Sequence, residues 1–306
     1  KIGVKYAIAV DNGTNAMVAM CMVLKHMYGE MIIGVPSFTF IASANAPQFV
    51  FDKIKFLDID KNNWNIDINQ VKGVDAIMAV DVAGLPVDYD ELKKMNIPII
   101  ADSAESAGAK YKGEYIGSQA LMHSFSLHRS KLITCGEGGV ITTNNDLCNK
   151  LLRSYINHGY DPDKKTWEYK HKTLGLNFRM SDVHAAIALS QLNRLDKYVE
   201  HRRNIARAYD TKLKQFARQI FDKSIFHHNY FLYGVLVENR DSIIKQMNEI
   251  GITTKAWSSI AGQDCYGRLD PPISKDIADS ILLLPINNRT TLEEANFVAD
   301  TLKSLI

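Results

Sequence analysis

The chain has 306 residues, of which 46% are hydrophobic and 23% charged, so it is long and apolar enough to fold into about two domains and is not a disordered polypeptide. Its 36 Lys and Arg against 34 Asp and Glu leave a net charge of +2, which carries no basic excess of the kind nucleic-acid binding needs. No apolar run approaches the ~20 residues of a membrane helix, the longest candidate being Ala16 to Leu24.

Tyr6 to Val10 reads as a buried strand, broken by Asp11-Asn12-Gly13 and followed by a helix over Thr14 to Met27 that is apolar almost all round. Further strands are expected at Met31 to Val35, Phe49 to Phe56, Ala76 to Val80, Ile97 to Ala101, His123 to Ser126 and Val140 to Thr143. Helical patterns fall at Asp88 to Met95 and Asp146 to Tyr155. Strands alternating with helices imply an α/β fold, a mostly parallel sheet with helices on both faces. Near residue 195 the pattern changes. Tyr198, Ile205, Tyr209, Leu213 and Phe216 share one face of a long charged helix, followed by a strand at Tyr230 to Val237. A helix at Asp241 to Glu249 and a short strand at Gly251 to Lys255 come next. The last helix starts at a capping box, Thr291-Leu-Glu-Glu294. The expected division is therefore a large domain over 1–194 and a smaller C-terminal α+β domain over 195–306.

Cys21, Cys135, Cys148 and Cys265 form no CxxC pair, and scattered thiols together with the lack of a visible signal peptide point to a reducing, cytoplasmic setting. His227-His228 has no third ligand nearby and reads as surface or loop, so no metal is expected.

Ligands of open α/β sheets bind at the carboxyl ends of the strands, and three polar clusters lie there. Asp11-Asn-Gly-Thr-Asn15 joins a strand to a helix, where free amides and the helix dipole suit a phosphate, although a glycine in such a turn also serves geometry alone. Asp102-Ser-Ala-Glu105 follows a strand, and Asp102 reads either as the partner of a cationic ligand atom or as the N-cap of a following helix. In Ser124 to Gly139, Lys131 lies between two apolar strands. A desolvated lysine there can attack a carbonyl, whereas most lysines are solvated surface charges.

In this order the clusters resemble the sugar aminotransferases of the DegT/DnrJ/EryC1/StrS family, which have the fold-type I pyridoxal-phosphate architecture. Asp11 to Ala16 resembles the family's phosphate turn, and Pro36-Ser-Phe-Thr-Phe-Ile-Ala-Ser-Ala-Asn45 its next motif. Ala101 to Ser106 resembles the stretch with the pyridinium-binding Asp, and Ser124 to Gly139 the Schiff-base lysine segment. Gly175-Leu-Asn-Phe-Arg179 and Leu284-Pro-Ile286 resemble two later motifs, so the likeness spans essentially the whole chain.

The resemblance implies pyridoxal 5'-phosphate as cofactor, attached to Lys131, which also moves the proton during transfer. It implies Asp102 at the pyridinium nitrogen, Glu105 near the phenolic oxygen where many relatives have Gln, and Phe40 stacked on the ring. Thr14 and Asn15 amides and the Ser126 hydroxyl would hold the phosphate, and Asn177 would reach the phosphate of a second subunit. Phe40 as plain core and Ser126 as a strand-internal hydrogen-bonder remain open readings. His158, in Asn157-His-Gly159, would face the substrate or simply end a helix.

The implied reaction moves an amino group from glutamate to a nucleotide-linked keto sugar at C3 or C4, in a homodimer with shared active sites and no nucleic-acid or membrane partner. Alternatives are a cofactor-dependent sugar dehydratase, in which the lysine position is typically His, and a non-catalytic relative that binds cofactor or sugar. The family usually carries a few dozen residues ahead of the strand that here begins near Tyr6. Asp81 stands where relatives usually have His, and Ala256-Trp-Ser-Ser-Ile260 departs from a usual His-Tyr stretch.

Overall fold

The computed structural model describes residues 1–161, 163, 168–216, 219, 223–268 and 270–306. The first two-thirds of the chain lays down, in order, β1 (Tyr6–Val10), α1 (Gly13–Tyr28), β2 (Ile32–Pro36), α2 (Ala42–Val50), β3 (Lys53–Leu57), β4 (Ala76–Val80), α3 (Tyr89–Lys93) and β5 (Ile99–Asp102). Two short strands follow, β6 (Lys110–Tyr111) and β7 (Glu114–Tyr115), then β8 (Met122–Ser126), β9 (Gly139–Thr143), α4 (Asp146–Tyr155) and α5 (Asp182–Leu192). The rest comprises α6 (Leu195–Leu213), β10 (Phe226–His227), β11 (Tyr233–Leu236), α7 (Arg240–Glu249), α8 (Pro272–Ser280), β12 (Ile281–Leu284) and α9 (Leu292–Ser304).

Seven strands form one sheet in the order β1-β9-β8-β5-β4-β2-β3. β9 is antiparallel to both β1 and β8, while the other pairings are parallel, so β9 alone runs against the rest. The carboxyl ends of β1, β2, β4, β5 and β8 therefore open on one edge. This is the expected α/β class with a mostly parallel sheet flanked by helices. The buried strands explain their own composition: β4 and β8 are buried at every residue. α1 fills the space beneath the sheet because Ala16, Met17, Ala19, Met20, Cys21, Val23 and Leu24 all point inward. Asn12 caps it by accepting the Asn15 amide, and Gly29, at φ 80°, ends it.

Later in the chain, β11 and β12 pair antiparallel, and α6, α7 and α9 pack on them through Ile205, Tyr209, Val235, Met247, Leu282 and Val298. The Thr291–Glu294 capping box is formed in both directions. β10 crosses back to pair with β6, so the later part of the chain also reaches the first.

Two expectations fail and a third holds only in part. The apolar run Phe49 to Phe56 is not one strand: α2 continues through Val50, Phe49 is 82% exposed, and β3 starts only at Lys53. A run of small residues from Ala42 carries helical hydrogen bonding into that segment, overriding the strand preference of its aromatics. Gly251 to Lys255 is not a strand either; only Lys255 bridges, to Leu283, after Gly251 takes φ 83°. His228 does lie in a loop, between β10 and β11, but it is buried there rather than on the surface. It stacks on Tyr230 at 4.1 Å, accepts the Tyr230 amide at Nδ1 and bonds Gln219 through Nε2.

Candidate active site

The strand ends enclose a cavity of about 1340 Å3. It is lined by Gly13, Thr14, Asn15, Asp102, Ser126 and Lys131 among others, which gathers all three polar clusters of the sequence in one place.

One wall is the start of α1. Its first amides have no partner within the helix. The Asn15 amide is taken by Asn12 Oδ1 at 2.8 Å, while those of Gly13 and Thr14 have no acceptor among the described residues. The Asn15 side chain turns back to Asp11 at 2.8 Å. Gly13 eases the fit here: a Cβ would meet Ser126 Cβ at 3.0 Å, a tight contact, so the glycine lets the end of β8 close on the helix start without displacement. Ser126 Oγ accepts only a long bond, 3.3 Å, from the His128 amide, and its side chain lines the cavity.

The floor is acidic. Asp102 is 5% exposed at the end of β5. Its Oδ2 accepts from Ser43 Oγ at 2.6 Å and its Oδ1 from the Ala104 amide at 3.0 Å. Burial raises its pKa against these bonds and the Lys131 charge. The residues after Asp102 form turns and no helix, which removes the helix-cap reading. Glu105 Oε2 accepts from the Ala83 amide at 2.9 Å, and burial pushes its carboxyl up to about 7 although Lys131 pulls the other way. Lys131 Nζ lies 3.8 Å from Glu105 Oε1 and 4.5 Å above the centre of the Phe231 ring. Its side chain is 16% exposed, which sets it apart from a solvated surface lysine.

Behind the floor is a second buried carboxylate. Asp81 accepts from Val87 N, Tyr89 Oη, Ser103 Oγ and Ser106 Oγ, all within 3.0 Å. His123 Nε2 accepts the Ala120 amide, so its Nδ1 carries the proton and donates to Ser103 Oγ, whose own hydroxyl donates a hydrogen bond to Asp81 Oδ2. Burial pulls His123 down to about 3, and the ring is neutral. The Asp at position 81 thus anchors both serines flanking Glu105's turn.

Phe40 is 64% exposed on the cavity rim, which excludes the plain-core reading. Asn177 and His158 do not line the cavity. Asn177 forms a bridge with Asn157 and accepts the Arg179 amide at 3.4 Å, while His158 is exposed at φ 55° and its carbonyl bonds His171. Sequence reasoning assigned no role to Ser43, Arg179 or Lys255. Ser43 and Arg179 lie within quoted motifs, and Lys255 directly precedes the departing Ala256–Ile260 stretch, all of which could have flagged them. Groups of three or more potential metal ligands do not occur among the described residues.

The chain is similar along its length to known proteins. GDP-perosamine synthase of Caulobacter vibrioides is 33% identical over 83% of this chain and 72% of that protein. UDP-4-amino-4,6-dideoxy-N-acetyl-beta-L-altrosamine transaminase of Campylobacter jejuni is 33% identical over 100% of this chain and 86% of that one. The crystal structure of a DegT DnrJ EryC1 StrS aminotransferase from Brucella abortus superimposes with a TM-score of 0.91 at 26% identity, covering 99% of this chain and 87% of that one. The family model for these enzymes matches residues 1–303, and with Lys131 set over an acidic floor at the strand ends, the chain belongs to the DegT/DnrJ/EryC1/StrS aminotransferase family.

Proposed function

We propose that this aminotransferase moves an amino group from glutamate to a keto sugar carried on a nucleotide, with Lys131 as its catalytic residue. Enzymes of the family work with pyridoxal 5'-phosphate. The cavity suits that group: two unpaired amides at a helix start for its phosphate, a buried carboxylate for its ring nitrogen, and a shielded amine for its aldehyde. When bound, it supplies an electron sink for the carbanion that amino transfer requires.

This chain's residues do the rest. The Gly13 and Thr14 amides and Ser126 Oγ bind the phosphate; Asn15, whose amide Asn12 already holds, keeps the turn in shape through Asp11. Asp102, fixed by Ser43 and Ala104, holds a proton on the ring nitrogen by charge pairing. Phe40 would cover the ring from the rim, and Glu105 would sit on the side of its phenolic oxygen. Lys131 would hold the cofactor through Nζ and, once the incoming amino group displaces it, would move a proton at Nζ between the substrate's Cα and the cofactor's C4′. The observation that carries this reading is the Lys131 amine, shielded from solvent, 3.8 Å from Glu105 and in the same cavity as buried Asp102. A lysine here also favours transfer over dehydration.

The sugar reading draws on the two relatives named for GDP- and UDP-linked compounds. A cavity of about 1340 Å3 exceeds the ~1000 Å3 of ordinary single-ligand pockets, which leaves room for a nucleotide sugar beside the cofactor. Residues 1–194 serve as the cofactor-binding domain and 195–306 as the smaller one.

The working unit is a homodimer. None of the α5 residues is buried although the helix is rich in Ala, Ile, Leu and Val, and Leu174, Val183 and Leu189 are 93%, 69% and 64% exposed. A second copy would cover this face and bring its Asn177, and with it His158, to the neighbouring cavity. Four free thiols are in keeping with a cytoplasmic enzyme.

A panel of GDP-, UDP- and dTDP-linked 3-keto and 4-keto sugars, incubated with glutamate, tests the reading. One panel member should yield an amino sugar and an equal amount of 2-oxoglutarate. Absence of 2-oxoglutarate across the panel, with cofactor bound, contradicts it.

A further inference from the structure

Arg202 of α6 is a cation in the wrong place for a surface charge. It is 4% exposed, and among the described residues its guanidinium has no carboxylate partner. Burial pulls its pKa down to about 10. An unpaired buried cation is costly unless its donors are satisfied. Its contacts are with neutral oxygens: Nε donates to Asn288 Oδ1 at 3.0 Å, and Nη1, with two hydrogens, lies within reach of the carbonyls of Phe231 at 2.8 Å, Ile286 at 3.2 Å and Tyr230 at 3.3 Å.

Two of these acceptors lead to Lys131. The Phe231 ring is the one over which Lys131 Nζ lies, at 4.5 Å. Asn288 donates through Nδ2 to the Leu132 carbonyl at 2.8 Å, one residue beyond Lys131. The orientation of that amide is dictated. A guanidinium has donors only, so the Asn288 oxygen must face Arg202 and the NH2 must face Leu132. Leu132 and Ile133 meanwhile pack against Leu195 and Val199 of α6, the helix that carries Arg202.

We infer that Arg202 and Asn288 are positioning residues for the amine of Lys131: one guanidinium holds both the backbone of the residue whose ring lies beneath the amine and the amide that pins the next residue's carbonyl. The lysine approaches from the loop between β8 and β9, and the clamp reaches it from α6 and the segment after β12, so the catalytic amine is aligned between two separately built parts of the fold. Hydrophobic replacement of Arg202 would fill the space but free the Asn288 amide to flip. The inference rests on the assignment of Lys131 as the cofactor-bearing lysine.

Asn288→Asp is the discriminating variant. Its carboxylate still accepts from Arg202, now as an ion pair, but it cannot donate to the Leu132 carbonyl. The holoenzyme should fold with an unchanged or higher unfolding midpoint and still lose roughly tenfold in kcat with the KM for glutamate within about twofold, because a misplaced reacting group costs rate rather than binding. The visible circular-dichroism band of the bound cofactor, which reports its seating, should change in shape or sign. Arg202→Lys, which keeps the charge but not the fork of donors, should move the same two readouts in the same direction. If Asn288→Asp does not fold, Asn288→Ser is measured in its place with the same expectation. A folded Asn288 variant with wild-type kcat and wild-type dichroism overturns the inference, provided borohydride fixes the cofactor to Lys131. Fixation to another lysine overturns the reading of the site, and this inference with it.

Discussion

The floor and the rim of the cavity are built on opposite terms. At the floor, polar groups are buried and satisfied: Asp102 holds Ser43 and Ala104, Asp81 holds four donors, and Glu105 is held by Ala83 and faces Lys131. At the rim and on α5, apolar groups are exposed and without cover: Phe40 is 64% exposed, and none of the α5 residues is buried. A completed set of hydrogen bonds defines a floor that one subunit can build alone. An uncovered apolar helix beside the same cavity describes a wall that needs something further, and a second copy is the occupant that the proposed shared site requires.

Breaking the floor should have the largest effects. Lys131→Ala removes the amine placed beside Glu105 and should lower turnover by roughly 1000-fold or more in the glutamate assay, with the fold retained. Asp102→Asn keeps the shape and the Ser43 contact but loses the charge, and should lower kcat about 100-fold while cofactor still binds. Turnover at the wild-type level would reduce Asp102 to a structural residue.

The rim should respond through assembly. Leu189→Glu places a charge on the uncovered α5 face, and sedimentation should show a shift from dimer toward monomer with loss of activity. Mixing Lys131→Ala with Asn177→Ala should restore roughly a quarter of wild-type sites after random subunit exchange, because only one site of each mixed dimer keeps both residues. No recovery in demonstrably mixed dimers would break the contrast between floor and rim.

The smallest effect concerns Glu105 and pH. Its folded pKa, about 7, lies above the ordinary 4.5, so between those values the folded protein binds more protons than the unfolded chain. Stability from this group is therefore lost as pH rises from about 4.5 to 7, and the penalty is complete above 7. Glu105→Gln should raise the unfolding midpoint of the cofactor-free protein by roughly 2 °C or more at pH 8 and leave it unchanged near pH 4. A shift of equal size at both pH values would assign the effect to packing.

Much of the floor was legible because its chemistry is local. A strand, a turn and a polar residue at the strand end lie within a few positions of one another, as in Ala101-Asp102 and Phe125-Ser126. The seven sheet strands could be read for the same reason, apart from the Phe49 to Phe56 run, where a neighbouring helix prevailed. The contacts that tune the site were illegible. Ser43 meets Asp102 across 59 positions, and Asn288 meets Leu132 across 156, and no periodicity in a single sequence encodes such pairs. His228 went astray similarly: its burial depends on Tyr230 and Gln219 closing around it.

The central claim is that Lys131 is the residue that carries the cofactor. Borohydride reduction of the purified protein, proteolysis and peptide mass spectrometry test it directly. One stoichiometric pyridoxyl adduct per chain is expected, on the peptide containing Lys131, with the visible absorption lost in step. An adduct on Lys255 or any other lysine, with Lys131 unmodified, would contradict it.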